Sequence, residues 1–474
     1  MKTRIFTPGD QTAFSKLSGD NNPLHTDGIA ARRMLFGAAV VHGIHALLWS
    51  VDCALEDQEG NVELRHIEAV FSKPIRVGEE VGLAVRNDKT GSLRLELLAG
   101  GSFVAGIRLS LERRTGSDAA DIKGCFPGLI PPQDVLEEEL EATSGCLDLF
   151  LNREAAAEMF PNLTRCFSPQ QIAVLLATSR LAGVFCPGLH SIYSELKLSK
   201  AAPNNVPDLR YEVTDHDRRF GLVHMKVAGP GMEGSVEAFR RPPPTKQGSF
   251  LALKSLVESG EFAGQRGLVV GGSRGLGEVA AKLLAGGGAD IKITYHQGGE
   301  DARQIVEDIV SNGGIADCLY FDVLNPGLNP AQISEKNWIP THLYYFATPF
   351  IFSGVKGRFS PPLFSKFCDY YVKGFIGTVN LLRDLGTRHI FYPSSVAVDE
   401  IPNDMGEYAA AKMAGQTLCA FLEKTDRRLT IFSPLFPRMA TDQTVSISPV
   451  ANLDPLETML KSLRAFRVAS ISGG

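Results

Sequence analysis

Asp20 and His25 stand five positions apart in FSKLSGDNNPLHTD (14–27), with Asn22 and Pro23 between them. Proline interrupts a helix, so the segment reads as a shaped loop that can aim a carboxylate and an imidazole at one point. Such a pair suits addition or removal of water: one group handles an α-proton and the other a β-hydroxyl. Just downstream, VVHGIHALL predicts a helix starting near Gly43, whose free amides would stabilise a developing enolate. A second set lies far along the chain. Gly271-Gly272-Ser273-Arg274-Gly275-Leu276-Gly277 follows the apolar run 267–270 and precedes EVAAKLLAGG. Strand, glycine-rich turn and helix together are what a dinucleotide pyrophosphate needs, because glycine admits the backbone closely and the helix start offers free amides. The next apolar run, IKITYH, ends at His296 without the Asp or Glu that would hold a ribose 2′-hydroxyl. Arg274 offers a cation to a 2′-phosphate instead, which favours NADP(H) over NAD. The third set is Ser395, then Tyr408, then Lys412 four residues later, so that Tyr408 and Lys412 share a helix face. Ketone reduction needs a proton donor beside the hydride donor. Bringing a tyrosine from about 10 toward about 7 takes roughly 4 kcal/mol. One cation about 4 Å away at an effective dielectric near 20 supplies roughly that.

Three stretches must position these groups. Residues 1–115 run from a helical opening through an apolar helix near 42–55 into alternating strands at 81–87, 93–99 and 103–112. Residues 116–143 read as a connector with an acidic, solvated run EEELE. Residues 144–243 repeat the first plan at an offset of about 125: helical 170–185 precedes LHSIYSELKLSK (189–200), as HGIHALLWSVDCAL precedes LRHIEAVFSK. His190 reads here as a structural strand residue, and Cys166 and Cys186 as core. RRPPPTKQGS (240–249) reads as a linker. Beyond it, apolar runs alternate with helical stretches, which predicts a parallel sheet with crossover helices.

Two resemblances attach to these residues. FSKLSGDNNPLHTDGIAARRMLFGAAVVHGIHALL is similar to the MaoC-like, (R)-specific enoyl thioester hydratases. That resemblance implies a hot dog fold, Asp20 and His25 as the catalytic pair, Asn22 supporting the loop and the Gly43 amide as oxyanion donor. With 144–243 as a degenerate second copy, where LNREAAAEMFPNL replaces the motif, it implies an α+β double hot dog. VVGGSRGLGE, PSSVAV and YAAAK resemble the short-chain dehydrogenase/reductase family, above all its 3-oxoacyl thioester reductases, over 264–466. This implies an α/β Rossmann doubly wound parallel sheet. It also implies cofactor contacts from Gly271, Ser273, Arg274, Gly275, Leu276, Gly277, His296, Asp322, Val323, Ala347, Tyr408 and Lys412, with Ser395, Tyr408 and Lys412 catalytic. Tyr371 stands where that family more often reads Asn, Val270 where it usually reads Thr, and Phe436-Pro437-Arg438 where it usually reads Pro-Gly.

Composition excludes several classes. Basic residues number 48 and acidic ones 53, a net charge of −5, without the basic excess of a nucleic-acid binder. Apolar residues are 44% and charged ones 21%, which marks a globular chain rather than a disordered one. MKTRIFTPGDQTAF has no apolar signal core, and 34–55 carries His42, His45 and Asp52, so neither secretion nor a membrane span is expected. Eight scattered cysteines without a CxxC pair fit free thiols in a reducing cytoplasm and no metal site. The expectation is a cytoplasmic, bifunctional NADPH-dependent 3-oxoacyl-thioester reductase and (R)-3-hydroxyacyl-thioester dehydratase for fatty-acid or polyketide-type chains. Its substrates would ride on acyl carrier protein or CoA, and the reductase part would form a homodimer or homotetramer. Reverse flow through the same sites, as in β-oxidation, and one module serving as a nucleotide-binding scaffold are the alternatives.

Overall fold

A computed structural model describes residues 2–87, 92–114, 122–202, 206–325, 333, 338–447 and 450–472. Part of the expected connector, 116–121, lies outside the described residues. The chain forms two compact units, Met1–Pro243 with Ser446–Pro449, and Pro244–Val445 with Val450–Gly474.

The first unit is built on one ten-stranded sheet. Its strands are β1 (Lys2–Ile5), β2 (Val62–Phe71), β3 (Glu80–Asn87), β4 (Leu93–Ala99), β5 (Ser102–Arg113), β6 (Ser144–Asp148), β7 (Ser191–Lys200), β8 (Asp208–Asp217), β9 (Leu222–Gly229) and β10 (Met232–Arg240). Their order across the sheet is β1-β3-β4-β5-β2-β7-β10-β9-β8-β6. The second five strands therefore repeat the order of the first five in mirror sequence about the β2–β7 seam. That seam is antiparallel and pairs Ile67 with Leu198 and Ala69 with Leu196. Each half wraps a long buried helix, Gly43–Ala54 in the first and Pro169–Arg180 in the second. Both helices are buried on nearly every side, as a helix enclosed by a sheet is. Gln171 on the second helix both accepts from the Leu64 amide and donates to the Leu64 carbonyl, satisfying backbone at the β2 bulge.

The second unit carries a six-stranded parallel sheet. Its strands are β11 (Arg266–Val270), β12 (Asp290–Tyr295), β13 (Ile315–Tyr320), β14 (His342–Tyr345), β15 (His389–Phe391) and, after the short β16 (Ser394–Ser395), β17 (Thr430–Phe432). The order is β13-β12-β11-β14-β15-β17, and β16 pairs separately with β18 (Leu435–Phe436). Strand β11 sends Val269 into a core shared with the helices Gly275–Gly286 and Pro455–Ser472. It sends Leu268 and Val270 into another core, with the helices Phe375–Leu385 and Gly406–Thr425. Helices thus cover both faces, the arrangement an all-parallel sheet requires. The reversal of strand order between β11 and β14 opens a crevice at the carboxyl ends of the strands, where ligands of such sheets sit.

RRPPPTKQGS does not begin where the sequence reading put it. Arg240 closes β10, and Arg241 is completely buried, so the free stretch starts after that pair. His190 lies just ahead of β7 rather than in it.

Candidate active sites

The first site is assembled around the loop between two short elements. Helix Pro8–Ser18 opens on a Thr7–Asp10 capping box and ends at Gly19 in the left-handed conformation, which turns the chain into Asp20. Asn22 caps the four-residue helix Pro23–Thr26, which carries His25. The Asn22 side chain then reaches across to the second half. Its Nδ2 donates to the carbonyls of Gly183 (2.9 Å), Gly188 (3.2 Å) and Leu189 (3.2 Å).

Asp20 is buried, and its Oδ2 accepts a 2.7 Å hydrogen bond from Ser179 Oγ on the second long helix. That helix ends in a π-turn, Leu181–Phe185, which brings Gly183 against the carboxylate. A Cβ on Gly183 would lie 2.1 Å from Asp20 Oδ1, so only glycine fits. Burial pushes the Asp20 carboxyl up, opposed by His25, Ser179 and the Asn22 amide. His25 Nδ1 lies 2.7 Å from the Val40 carbonyl; donation there fixes the proton on Nδ1 and leaves Nε2 with its lone pair. Burial lowers the His25 pKa, opposed by Asp20 and by the Val40 bond and reinforced by Arg241. His42 stacks on His25 with ring centroids 3.9 Å apart. Its ring nitrogens face Gln11 Oε1 at 2.9 Å and the Asp20 carbonyl at 3.0 Å. Gly43 follows, opening the long helix beside this stack. Asp20, His25 and His42 offer donor atoms within 4.8 Å of one another. Both His42 nitrogens face oxygens, which leaves His25 Nε2 and the Asp20 carboxylate as the groups of the cluster open to proton exchange.

The second site lies at the sheet crevice. Gly271 has φ +81°, and a Cβ there would come within 2.9 Å of the Ala347 amide. A Cβ on Gly277 would lie 2.3 Å from the Gly271 carbonyl. The turn is therefore closed to side chains on its inner side and leads directly into helix Gly275–Gly286. That cradle fits a pyrophosphate. Ser273 is buried in it. Arg274 stands at the helix N-cap, with Nη1 2.8 Å from Asp442 Oδ2 in an ion pair. His296 is largely exposed, 3.8 Å from Asp322. Asp322 follows β13; burial pushes its carboxyl up, but bonds from Asn325 and the Leu324 amide outweigh this and leave it below the usual range. Leu276 packs against the core that holds Val269, and Val323 lies within the one that holds Leu268 and Val270.

Tyr408 and Lys412 sit on helix Gly406–Thr425, and Ser395 ends the short β16. Burial pushes the Tyr408 hydroxyl up to about 12, opposed by its hydrogen bond with Ser395. Burial also pulls Lys412 down to about 7. The Lys412 ammonium donates to the Pro393 carbonyl (2.8 Å) and lies 4.1 Å above the Tyr371 ring. Tyr371 is buried, its hydroxyl 2.5 Å from Thr348 Oγ1 and its carbonyl accepting from Tyr392.

Sequence reasoning missed Ser179, Gly183, His42 and Arg241. Three of them belong to the second half or its end, where no motif flags them. The one available signal was Gly183, a glycine inside an otherwise apolar helical run.

Residues 1–96 match the family described as "MaoC like domain". A 73-residue stretch is 36% identical to a "probable tetrahydroxynaphthalene reductase" of Zymoseptoria tritici. The chain spans about a quarter of that relative's length, 27%, and the stretch is 15% of this chain. Among solved structures, a short chain dehydrogenase from Burkholderia cenocepacia in complex with NADP is 22% identical, with 45% of this chain and 95% of that one covered and a TM-score of 0.39. A 3-oxoacyl (acyl-carrier-protein) reductase from Agrobacterium tumefaciens with NADP bound is 17% identical, with 43% and 87% covered and a TM-score of 0.37.

Proposed function

With a MaoC-like domain at residues 1–96 as the starting point, we propose that the chain is a bifunctional enzyme. One unit reduces a 3-oxoacyl thioester with NADPH, and the other removes water from the resulting (R)-3-hydroxyacyl thioester. In this reading 1–115 and 144–243 are the two halves of a double hot dog and 264–466 is a short-chain dehydrogenase/reductase domain. The observation that carries it is the pairing of the buried Asp20 with a half-buried His25 whose Nε2 has no hydrogen-bond partner among the described residues.

Dehydration starts from the singly protonated pair. His25 Nε2 takes the α-proton, and the Gly43 amide holds the enolate oxygen. The β-carbon–oxygen bond then breaks as the Asp20 proton passes to the hydroxyl, and water leaves. The proton on His25 returns to Asp20. Burial favours both roles, raising the Asp20 carboxyl and lowering the His25 imidazole from their ordinary values.

In the other unit, Gly271, Ser273, Gly275, Leu276 and Gly277 would cradle the pyrophosphate. Arg274 and His296 would face the 2′-phosphate, and Asp322, Val323 and Ala347 would line the adenine and ribose side. NADPH, when bound, supplies the hydride. Tyr408 would supply the proton, Ser395 would orient the carbonyl, and Lys412, on the same helix face, would hold the ribose and lower the tyrosine pKa. The shared (R)-3-hydroxyacyl thioester is the reason for the fusion, since tethering raises its local concentration at the second site. Acyl carrier protein or CoA would deliver the acyl group for fatty-acid or polyketide-type synthesis, in a cytoplasmic homodimer or homotetramer.

The test is hydration of a crotonyl thioester, followed as loss of enoyl absorbance. The native chain consumes it and Asp20→Asn does not; equal rates would remove the acid–base reading.

A further inference from the structure

Arg241 is a cation with no exposed surface and no carboxylate within ion-pair distance among the described residues. Its Nη2 donates to the Leu189 carbonyl (2.9 Å) and toward Met34 Sδ (3.1 Å), while its Nε has no partner. Its Nη1 lies 3.3 Å from His190 Nδ1. Arginine can only donate, so His190 Nδ1 accepts and its proton sits on Nε2, which faces the exposed Asp134 carboxylate at 3.4 Å. A buried cation one residue away from its counter-charge carries a desolvation cost. The Leu189 carbonyl that Arg241 holds is also held by Asn22 Nδ2. Asn22 lies between Asp20 and His25 in the loop.

We propose that Arg241 is a positioning residue for the Asp20–His25 pair, acting through the shared Leu189 carbonyl and as a fixed buried cation facing His25. The inference rests on the hydratase reading above. The charged and titratable groups around His25 are Asp20 from its own loop, His42 from the long helix start and Arg241 from the end of β10. His190 and Asp134 stand behind Arg241. The cation opposes Asp20, and so keeps the pair from taking a second proton.

The experiment is the pH profile of kcat/KM for crotonyl-CoA hydration in the full chain. Arg241→Met removes the cation, so both limbs move to higher pH by at least half a unit and kcat falls at least tenfold. Arg241→Lys keeps the charge but not the fork; its limbs stay and its kcat falls. Asp134→Asn, a surface change, removes the negative charge behind His190 and Arg241 and moves both limbs to lower pH. Unmoved limbs in a folded Arg241→Met variant overturn the proposal. If that variant does not fold, the Asp134→Asn profile decides: a downward shift supports the proposal and an unmoved profile overturns it. A native chain that hydrates crotonyl-CoA with unaffected variants sinks this proposal alone, whereas a native chain without hydration sinks the reading beneath it.

Discussion

Asp20 and Ser179, from opposite halves of the ten-stranded sheet, share a 2.7 Å hydrogen bond in a buried site. The second half therefore supplies the hydrogen-bond partner of the Asp20 carboxylate. Ser179 stabilises the ionised form, so Ser179→Ala raises the Asp20 pKa. A hydrogen bond to a charged group is worth about 1.5 kcal/mol, or about one pH unit. The alkaline limb of the dehydration profile, where the acid loses its proton, moves up by about that much. A profile that stays in place would show that Asp20 does not titrate in that limb.

Gly183→Ala forces a methyl into the space of Asp20 Oδ1. Displacing a catalytic group by about 1 Å costs on the order of 100-fold. Hydration should fall by about that factor while NADPH oxidation stays within about twofold, since Gly183 lies in the first unit. Steady-state assays of both reactions on one preparation check this.

His45 is buried with neither ring nitrogen hydrogen-bonded, stacked on Phe14 and edge-on to Phe6 and Phe160. Burial drops its pKa to about 3. Its folded pKa is depressed below the ordinary value of about 6.5, so between the two the unfolded chain binds more protons. The stability is present above pH 6.5 and is lost as pH falls toward 3. His45→Phe should remove about 2 kcal/mol of the loss between pH 7 and pH 5, at about 1.4 kcal/mol per proton per unit. Urea melts of the native and variant chains at the two pH values measure it, and parallel losses would contradict the assignment.

Asp442 holds Arg274 in a 2.8 Å pair, with the carboxylate buried beside the glycine turn. Under the proposed placement, a 2′-phosphate would compete with Asp442 for that guanidinium. Asp442→Asn should tighten NADPH about tenfold, roughly 1.4 kcal/mol, and leave NADH nearly unchanged. Fluorescence titration with both nucleotides checks it; weaker NADPH binding would mean that Asp442 aims Arg274 instead of occupying it.

Local geometry was legible where one segment carries all of it. The GDNNPLH loop places its own carboxylate and imidazole, and the glycine turn joins β11 to its helix, because both depend on backbone within a dozen residues. The repeat was legible in the two apolar helices and the strands after them. What the sequence hid depends on pairing across the β2–β7 seam. Ser179 and Gly183 look like ordinary helix residues until the seam sets them beside Asp20. Arg241 looked like linker because prolines follow it, yet its burial is fixed by Leu189 and His190, far away in sequence.

The most direct test of the two-site account follows NADPH absorbance with acetoacetyl thioesters, on carrier protein and on CoA, with mass analysis of the product. The account predicts NADPH consumption and a product lighter by one water than the hydroxyacyl form. In Asp20→Asn the account predicts that the reaction stops at the hydroxyacyl thioester, and in Tyr408→Phe that no NADPH is consumed. Hydration of crotonyl thioester by a chain that never consumes NADPH would contradict it and leave the second unit a nucleotide-binding scaffold.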